Sequence, residues 1–221
     1  MKRVLILVEG QTEEQFIKTV LAPYLWQYQV IMIPTVITTK RVLSGSDHKG
    51  GLLRFMHLRQ DLQRLFGDSN AVLFTTFIDY YGLPSDFPGM VAATSPDPYK
   101  RVAYLEQTLG ETFNNRRFLP FIMLHEFEAF CFVDPYLTAK VMDSVGKAAD
   151  LSSACRHASG PEKINQGSDS HPSHRIKSAF SHYNKFIDGV DITASIGLDK
   201  LRSACPHFNR WLDQVVDHAT G

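Results

Sequence analysis

Four acidic side chains sit where an apolar run ends. Glu9 follows Val4 to Val8, Asp79 follows Ala71 to Ile78, and Glu126 and Glu128 follow Phe118 to Leu124. A carboxylate at the end of an apolar strand is poorly solvated unless a cation, a metal ion or backbone donors meet it. Brought together, such groups repel one another. The usual resolution is a hard divalent cation, Mg2+ or Mn2+, held by oxygen ligands. The bland alternative is that acids are common at strand ends. Glu13 and Glu14, in the first turn of the helix expected after Glu9, suit the positive end of the helix dipole without further duty.

The elements that must position these acids alternate in type. The run Val4 to Val8 has the unbroken apolar character of a parallel strand covered on both faces. Gly10 permits a tight exit, Thr12 and Gln15 have capping-box spacing, and Phe16, Ile17, Val20, Leu21 and Tyr24 mark one helix face. Tyr28 to Thr39 reads as a second strand, with Pro34 suggesting an irregularity or an edge position. A polar loop, Lys40 to Gly51, leads into a helix from about Leu52 to Phe66. Ala71 to Ile78 is the third strand, and Pro84 to Ser95 is a Pro- and Gly-rich loop. Asp97 reads as an N-cap with Pro98 at the first helical position of a helix reaching about Leu109.

Phe118 to Leu124 is the fourth strand. If its geometry persists through His125-Glu126-Phe127-Glu128, the two glutamates point to one side and can share a cation; if a helix starts there, they diverge by about 200 degrees. A zincin is excluded, because the residue four after His125 is Ala129. This order predicts an α/β fold: a mostly parallel sheet of about four strands, right-handed crossovers and helices on both faces. Ligands of such sheets bind outside the carboxyl ends of the strands.

The carboxyl third changes character. Ser159 to Arg175 is a polar loop leading into a helix that ends near Asp188, with further helices at about Leu198 to Ala204 and His207 to His218. Lys163, Arg175, Lys177 and Lys185 could complete a cationic wall, while His171, His174 and His182 read as ordinary surface residues. The chain is expected to form a single domain over residues 1 to 221, with a core to about 135 and a helical extension beyond.

Lysine plus arginine balance aspartate plus glutamate at 23 each, so nucleic-acid binding must come from local patches. One stands out. Lys40, Arg41, Lys49, Arg54, Arg59 and Arg64 face only Asp47 and Asp61 between positions 40 and 64, which reads as a phosphate-facing stretch or as a solvated helix face. Cys131, Cys155 and Cys205 are odd in number and form no C-x-x-C pair, which argues for reduced thiols and against structural zinc. The first apolar run is too short for a secretory segment and no later run could span a bilayer, so the expected location is cytoplasmic, without a membrane. Neither a P-loop nor a G-x-G-x-x-G after the first strand occurs, which removes the ATPase and Rossmann dinucleotide classes.

Taken together, Glu9-Gly10-x-Thr12-Glu13 after an apolar strand, Asp79-Tyr-Tyr-Gly-Leu-Pro, His125-Glu126-Phe-Glu128-Ala-Phe and Pro161-Glu162-Lys163-Ile-Asn165 with Pro172-Ser173-x-Arg175-Ile resemble a bacterial Toprim-like family of formerly unknown function. It is related to the nuclease domains of overcoming-lysogenization-defect proteins. The resemblance covers nearly the whole chain. It implies a Toprim/Rossmann-like fold and a Mg2+-binding acidic site acting on phosphodiesters. Glu9 would do acid/base or metal work, and Glu13 would be a metal ligand. One departure stands: the usual Asp-x-Asp needs an acid at 81, where this chain has Tyr81. Glu126 and Glu128 are then the candidates for the missing carboxylates.

The resulting expectation is a metal-dependent nuclease. Glu9, Glu13, Asp79, Glu126 and Glu128 would hold one or two Mg2+ or Mn2+ ions, and Glu9 and Asp79 would serve catalysis. Lys163 or Arg175 would neutralise a phosphate oxygen. The expected partner is nucleic acid, DNA foremost. The resemblance also implies an ATPase partner in phage defence, and a homodimer is compatible with it. The rival is a non-catalytic or partner-activated subunit docking on that ATPase.

Overall fold

The computed structural model describes residues 1–38, 54–164, 167 and 169–221. Lys40, Arg41 and Lys49, the expected helix start at Leu52, and Asn165 lie outside the described residues.

The expected alternation is present. The chain runs β1 (Lys2–Val8), α1 (Gln11–Phe16), a π-helical turn (Ile17–Leu21), α2 (Ala22–Trp26), β2 (Val30–Val36), α3 (Phe55–Phe66), β3 (Ala71–Asp79), α4 (Pro98–Phe113), β4 (Phe118–Leu119) and β5 (Ile122–Met123). All pairings are parallel, in the order β2-β1-β3-β4, with β5 on the far end of β3. Pro34 faces Ile6 on β2, an outer strand, where a missing N–H is tolerated.

Where four strands are expected there are five segments, because the fourth is broken at Pro120. Proline brings no N–H to a ladder. A side chain takes over at the break: Thr76 Oγ1 donates to Phe121 O at 2.8 Å and accepts from Phe121 N at 2.9 Å.

The capping box is also corrected. Gly10, in extended backbone, is the N-cap of α1 and no side chain caps the helix. Thr12 is packed inside instead. Asp97 does cap α4, accepting from Tyr99 N at 3.0 Å. The π turn ends just before Pro23, where Ala22 N–H reaches back to Ile17 O. Widening the turn is one way a helix passes a residue that has no N–H and crowds the preceding carbonyl.

Alternation along β1 divides the core between two faces. Val4, Ile6 and Val8 pack with Phe16, Phe77, Trp211, Leu212 and Val215, whereas Leu5 and Leu7 pack with Leu58, Leu62, Leu105 and Leu109 of α3 and α4. The first face is finished by the carboxyl third, which comprises a 3-10 turn (Phe127–Phe132), α5 (Pro135–Val141), α6 (Ala148–Ala158), α7 (Pro172–Ala179), α8 (Asp188–Ile196), α9 (Leu198–Ala204) and α10 (Pro206–Thr220). Trp211 Nε1 donates to Thr75 Oγ1 of β3 at 2.9 Å, which ties α10 to the sheet.

The helix expected to run to Asp188 stops at Ala179. Buried Phe180 turns extended, and Asn184 Oδ1 accepts from the amides of Phe186 (3.0 Å) and Ile187 (3.2 Å). Such an Asx turn satisfies backbone that a helix would otherwise pair. Among the described residues no helix is long and apolar enough to cross a membrane.

Candidate active site at the carboxyl edge of the sheet

Parallel strands end on one edge, so β1 and β3 deliver Glu9 and Asp79 side by side. Asp79 N donates to Glu9 Oε2 at 3.2 Å. One helical turn after Glu9, buried Glu13 points to the same place. Two glycines leave room for these carboxylates. A Cβ on Gly10 would stand 3.2 Å from Glu13 Oε2, and one on Gly82 3.3 Å from Glu9 Oε1.

His125 decides the fate of the next two glutamates. Its φ of 65° is left-handed backbone, uncommon outside glycine. Beyond it Glu126 is extended and the 3-10 turn begins at Phe127. The two side chains therefore part, as expected for a helical start. Glu128 joins the acids of β1 and β3. Glu126 turns to the amino end of α7, accepting from Ser173 N (2.8 Å) and Ser173 Oγ (3.0 Å), with His171 Nδ1 at 3.1 Å. Both still line one cleft of about 800 Å³, together with Glu9, Asp79, Tyr81 and Lys185.

The centre of the cluster is Lys185. Its Nζ lies 3.0 Å from Glu13 Oε1, 3.2 Å from Asp79 Oδ2 and 3.5 Å from Glu128 Oε2. Asp79 Oδ1 accepts in addition from Phe127 N at 3.0 Å. Beneath lies a close-packed aromatic floor: Phe127 meets Phe16 edge-on at 5.4 Å, and Phe77 meets Phe121 at 5.2 Å. Each fully buried phenylalanine is worth about 1.5–3 kcal/mol, so this floor holds the carboxylates against their mutual repulsion.

The electrostatics follow from burial. Desolvation lifts Glu9 from 4.5 to about 7 against the pull of Lys185, with Glu13 and Glu128 adding to the rise. Burial pushes Asp79 well up, reinforced by Glu9, Glu13 and Glu128 and opposed by Lys185; Glu128 is raised, chiefly by burial too. Burial alone would lower Lys185, yet the carboxylates of Asp79, Glu128, Glu13 and Glu9 outweigh it and hold its pKa well above the usual lysine range. One ammonium thus faces four carboxylates.

The donor set fits a hard divalent ion: oxygen ligands only, negative charge in excess of the resident cation, and glycines that keep the approach open. The central position is held by the ammonium, and among the described residues no three His, Cys, Asp or Glu side chains are gathered as a ready metal site. An ion taking that position would have to displace Lys185.

The structure thus brings together Glu9, Glu13, Asp79 and Glu128, with Glu126 in the same cleft on other duty. Lys163 and Arg175 do not line the cleft. Lys163 stands over the Tyr99 ring at 5.4 Å, because its neighbour Glu162 is buried as a cap on α10. Arg175 Nε donates to Ser170 O at 2.6 Å and lines an adjoining hollow. Arg54, just before α3, and Arg59 and Arg64 on it are exposed and none lines the cleft; Arg64 pairs with Asp61 at 3.0 Å.

Sequence reasoning placed Lys185 only in a general cationic wall. No local pattern set it apart from Lys163, Arg175 or Lys177. His171, expected on the surface, is largely buried between Glu126 and Tyr81, and His174 lines the cleft.

Comparison with known proteins adds three findings. Over the whole length of both chains, the fold is similar to a solved structure described as the C-terminal region of the Burkholderia pseudomallei OLD protein, at 15% identity and a TM-score of 0.48. No curated protein matches the sequence. The model of the family described as "Domain of unknown function (DUF4276)" matches residues 8–216, and the chain therefore belongs to that family.

Proposed function

We propose that the chain is a divalent-metal-dependent phosphodiesterase acting on nucleic acid. The observation that carries this reading is the convergence of Glu9, Glu13, Asp79 and Glu128 on a single ammonium at the carboxyl edge of a parallel sheet. These four side chains would hold Mg2+ or Mn2+. When bound, such an ion supplies Lewis-acid stabilisation of phosphate charge and lowers the pKa of bound water. Glu9 would accept a proton from the attacking water. Lys185, anchored by the Asn184 turn and displaced from the carboxylates, neutralises charge on the phosphate in the role first sought in Lys163 or Arg175. His171 and Ser173 hold Glu126 and so keep α7 on the cleft wall.

The test is nicking of supercoiled plasmid and cleavage of a single-stranded circle with Mg2+ or Mn2+. The wild type cleaves, EDTA abolishes cleavage, and a folded Glu9→Ala, Asp79→Ala double variant loses at least about a hundredfold. Equal cleavage by both proteins overturns the assignment.

A second reading has its own observation. Because Lys185 fills the cation position, the isolated chain could be a silent subunit switched on by a partner, which the resemblance names as an ATPase in phage defence. Inactivity of the wild type alone, with tight Mn2+ binding, would favour it.

A further inference from the structure

Tyr81 occupies the position where the resemblance calls for a second acid, and it is 45% exposed on the cleft wall. Its neighbour Tyr80 turns toward Arg101 and His125, inside the fold. The Tyr81 ring is stacked on His171, with ring centroids 4.7 Å apart and planes inclined by 26°. Both partners are held. Tyr81 N donates to His125 O at 2.9 Å, and His171 Nδ1 lies 3.1 Å from Glu126 and 3.0 Å from Ser173 Oγ. An aromatic face fixed in this way loses little entropy when another flat ring stacks on it.

The surroundings suit a strand backbone. Lys177 lines the same cleft. The adjoining hollow, of about 300 Å³, shares Asp169, His174 and Ser178 with the cleft and carries Lys147 and Arg175. Asp150, 4.0 Å from Lys147, and Asp169 match those two charges, which leaves Lys177 as the cation in excess along that side. Base stacking on an aromatic platform, with a cation near the backbone, is one way proteins hold single strands. An intact duplex offers no base face except at its ends.

Resting on the function proposed above, we propose that Tyr81, backed by His171, is a stacking platform for an unpaired nucleobase beside the carboxylate cluster, so that the substrate is single-stranded or frayed nucleic acid. Tyr81 follows Asp79 by two residues, and a Cβ on the next residue, Gly82, would stand 3.3 Å from Glu9 Oε1. A base seated on the platform therefore holds its own backbone next to the acids.

Fluorescence anisotropy of the full chain in Ca2+ buffer tests this, with strand integrity checked on a denaturing gel. The probes are a labelled oligothymidine, an abasic strand of the same length and a dumbbell duplex without free ends. The wild type binds oligothymidine at least about fivefold tighter than the abasic strand. Tyr81→Ala weakens oligothymidine about 5- to 150-fold and leaves the abasic strand unchanged, whereas Tyr81→Phe stays within about twofold of wild type. Equal wild-type affinity for oligothymidine and the abasic strand overturns the platform while leaving the proposed function standing. So does a Tyr81→Ala loss that is the same for all three probes. If the wild type binds none of the probes, both readings fall.

Discussion

Two of the places where the described residues bury carboxylates, Glu162 and the sheet edge, differ in one respect. Glu162 is 1% exposed and is met by a donor on every side: Tyr99 OH at 3.1 Å, His207 N at 3.0 Å and Phe208 N at 3.0 Å. At the sheet edge Glu9, Glu13, Asp79 and Glu128 share one ammonium and two backbone amides. Burial raises the pKa at both places, so burial does not tell them apart. The balance of donors does. A carboxylate matched by neutral donors is a cap holding α10 to the rest of the chain, whereas carboxylates that outnumber their donors are where the proposed cation would act.

The sharpest way to break this comparison is to remove one acid from each side. Glu162→Ala strands three donors and is expected to cost about 3–5 kcal/mol in urea unfolding, while Asp79→Asn relieves repulsion and stays within about 1 kcal/mol of wild type in the absence of divalent ions. Similar losses at both positions would erase the distinction.

Next in size is Lys185→Met, which leaves four acids without their cation. It is expected to lower stability by about 2–4 kcal/mol in EDTA and to recover with millimolar Mn2+. With the tethered competitor gone, Mn2+ affinity measured by calorimetry should rise at least about tenfold. An unchanged Mn2+ affinity would mean that the ammonium and the metal do not contend for one place.

pH gives a smaller, directional effect. Glu9 is raised in the fold from 4.5 to about 7, so between those values the folded state binds more protons than the unfolded one. Its contribution to stability therefore falls as pH rises through that window. Mn2+ binding displaces the proton and is expected to strengthen as pH rises to about 7, by up to about tenfold per unit, and then to level off. Lys185 has the same sign in a higher window: its pKa is raised as well, so its contribution persists through neutral pH and is lost only as pH rises into strong base. A Mn2+ affinity flat from pH 5 to 8 would remove Glu9 from the site.

Smallest is Glu126→Gln. Because Glu126 serves the amino end of α7 and not the acid cluster, it should cost about 1 kcal/mol of stability and leave Mn2+ affinity within about twofold. A large loss of Mn2+ affinity would return Glu126 to the ligand set first expected for it.

Much of this site was legible along the chain. Apolar runs punctuated by helices of crossover length can close only as a parallel sheet with its carboxyl ends on one edge. Glu9 and Asp79 were therefore expected on one edge, and the strand order that sets β1 beside β3 made them neighbours; Glu13 follows from helical spacing. The break at Pro120 was not foreseen, although a residue without an N–H cannot continue a ladder. What the sequence leaves open at Glu126 and Glu128 is a single torsion. The left-handed turn at His125, rare outside glycine, carries no signature in residue type.

Three contacts needed the folded chain. Lys185 lies 106 residues beyond Asp79, and no local pattern ranks it above Lys163 or Arg175. It reaches the centre because Phe180 ends α7 early and the Asn184 turn aims the next side chain inward. His171 meets Tyr81, and Ser173 meets Glu126, only because α7 docks over the 3-10 turn. Residue order and hydrophobic periodicity determine which strand ends share an edge, because backbone pairing and burial act on every residue of an element at once. Which cation stands among the acids is decided by tertiary packing, because it depends on a few side chains whose positions are set by elements far apart in the chain.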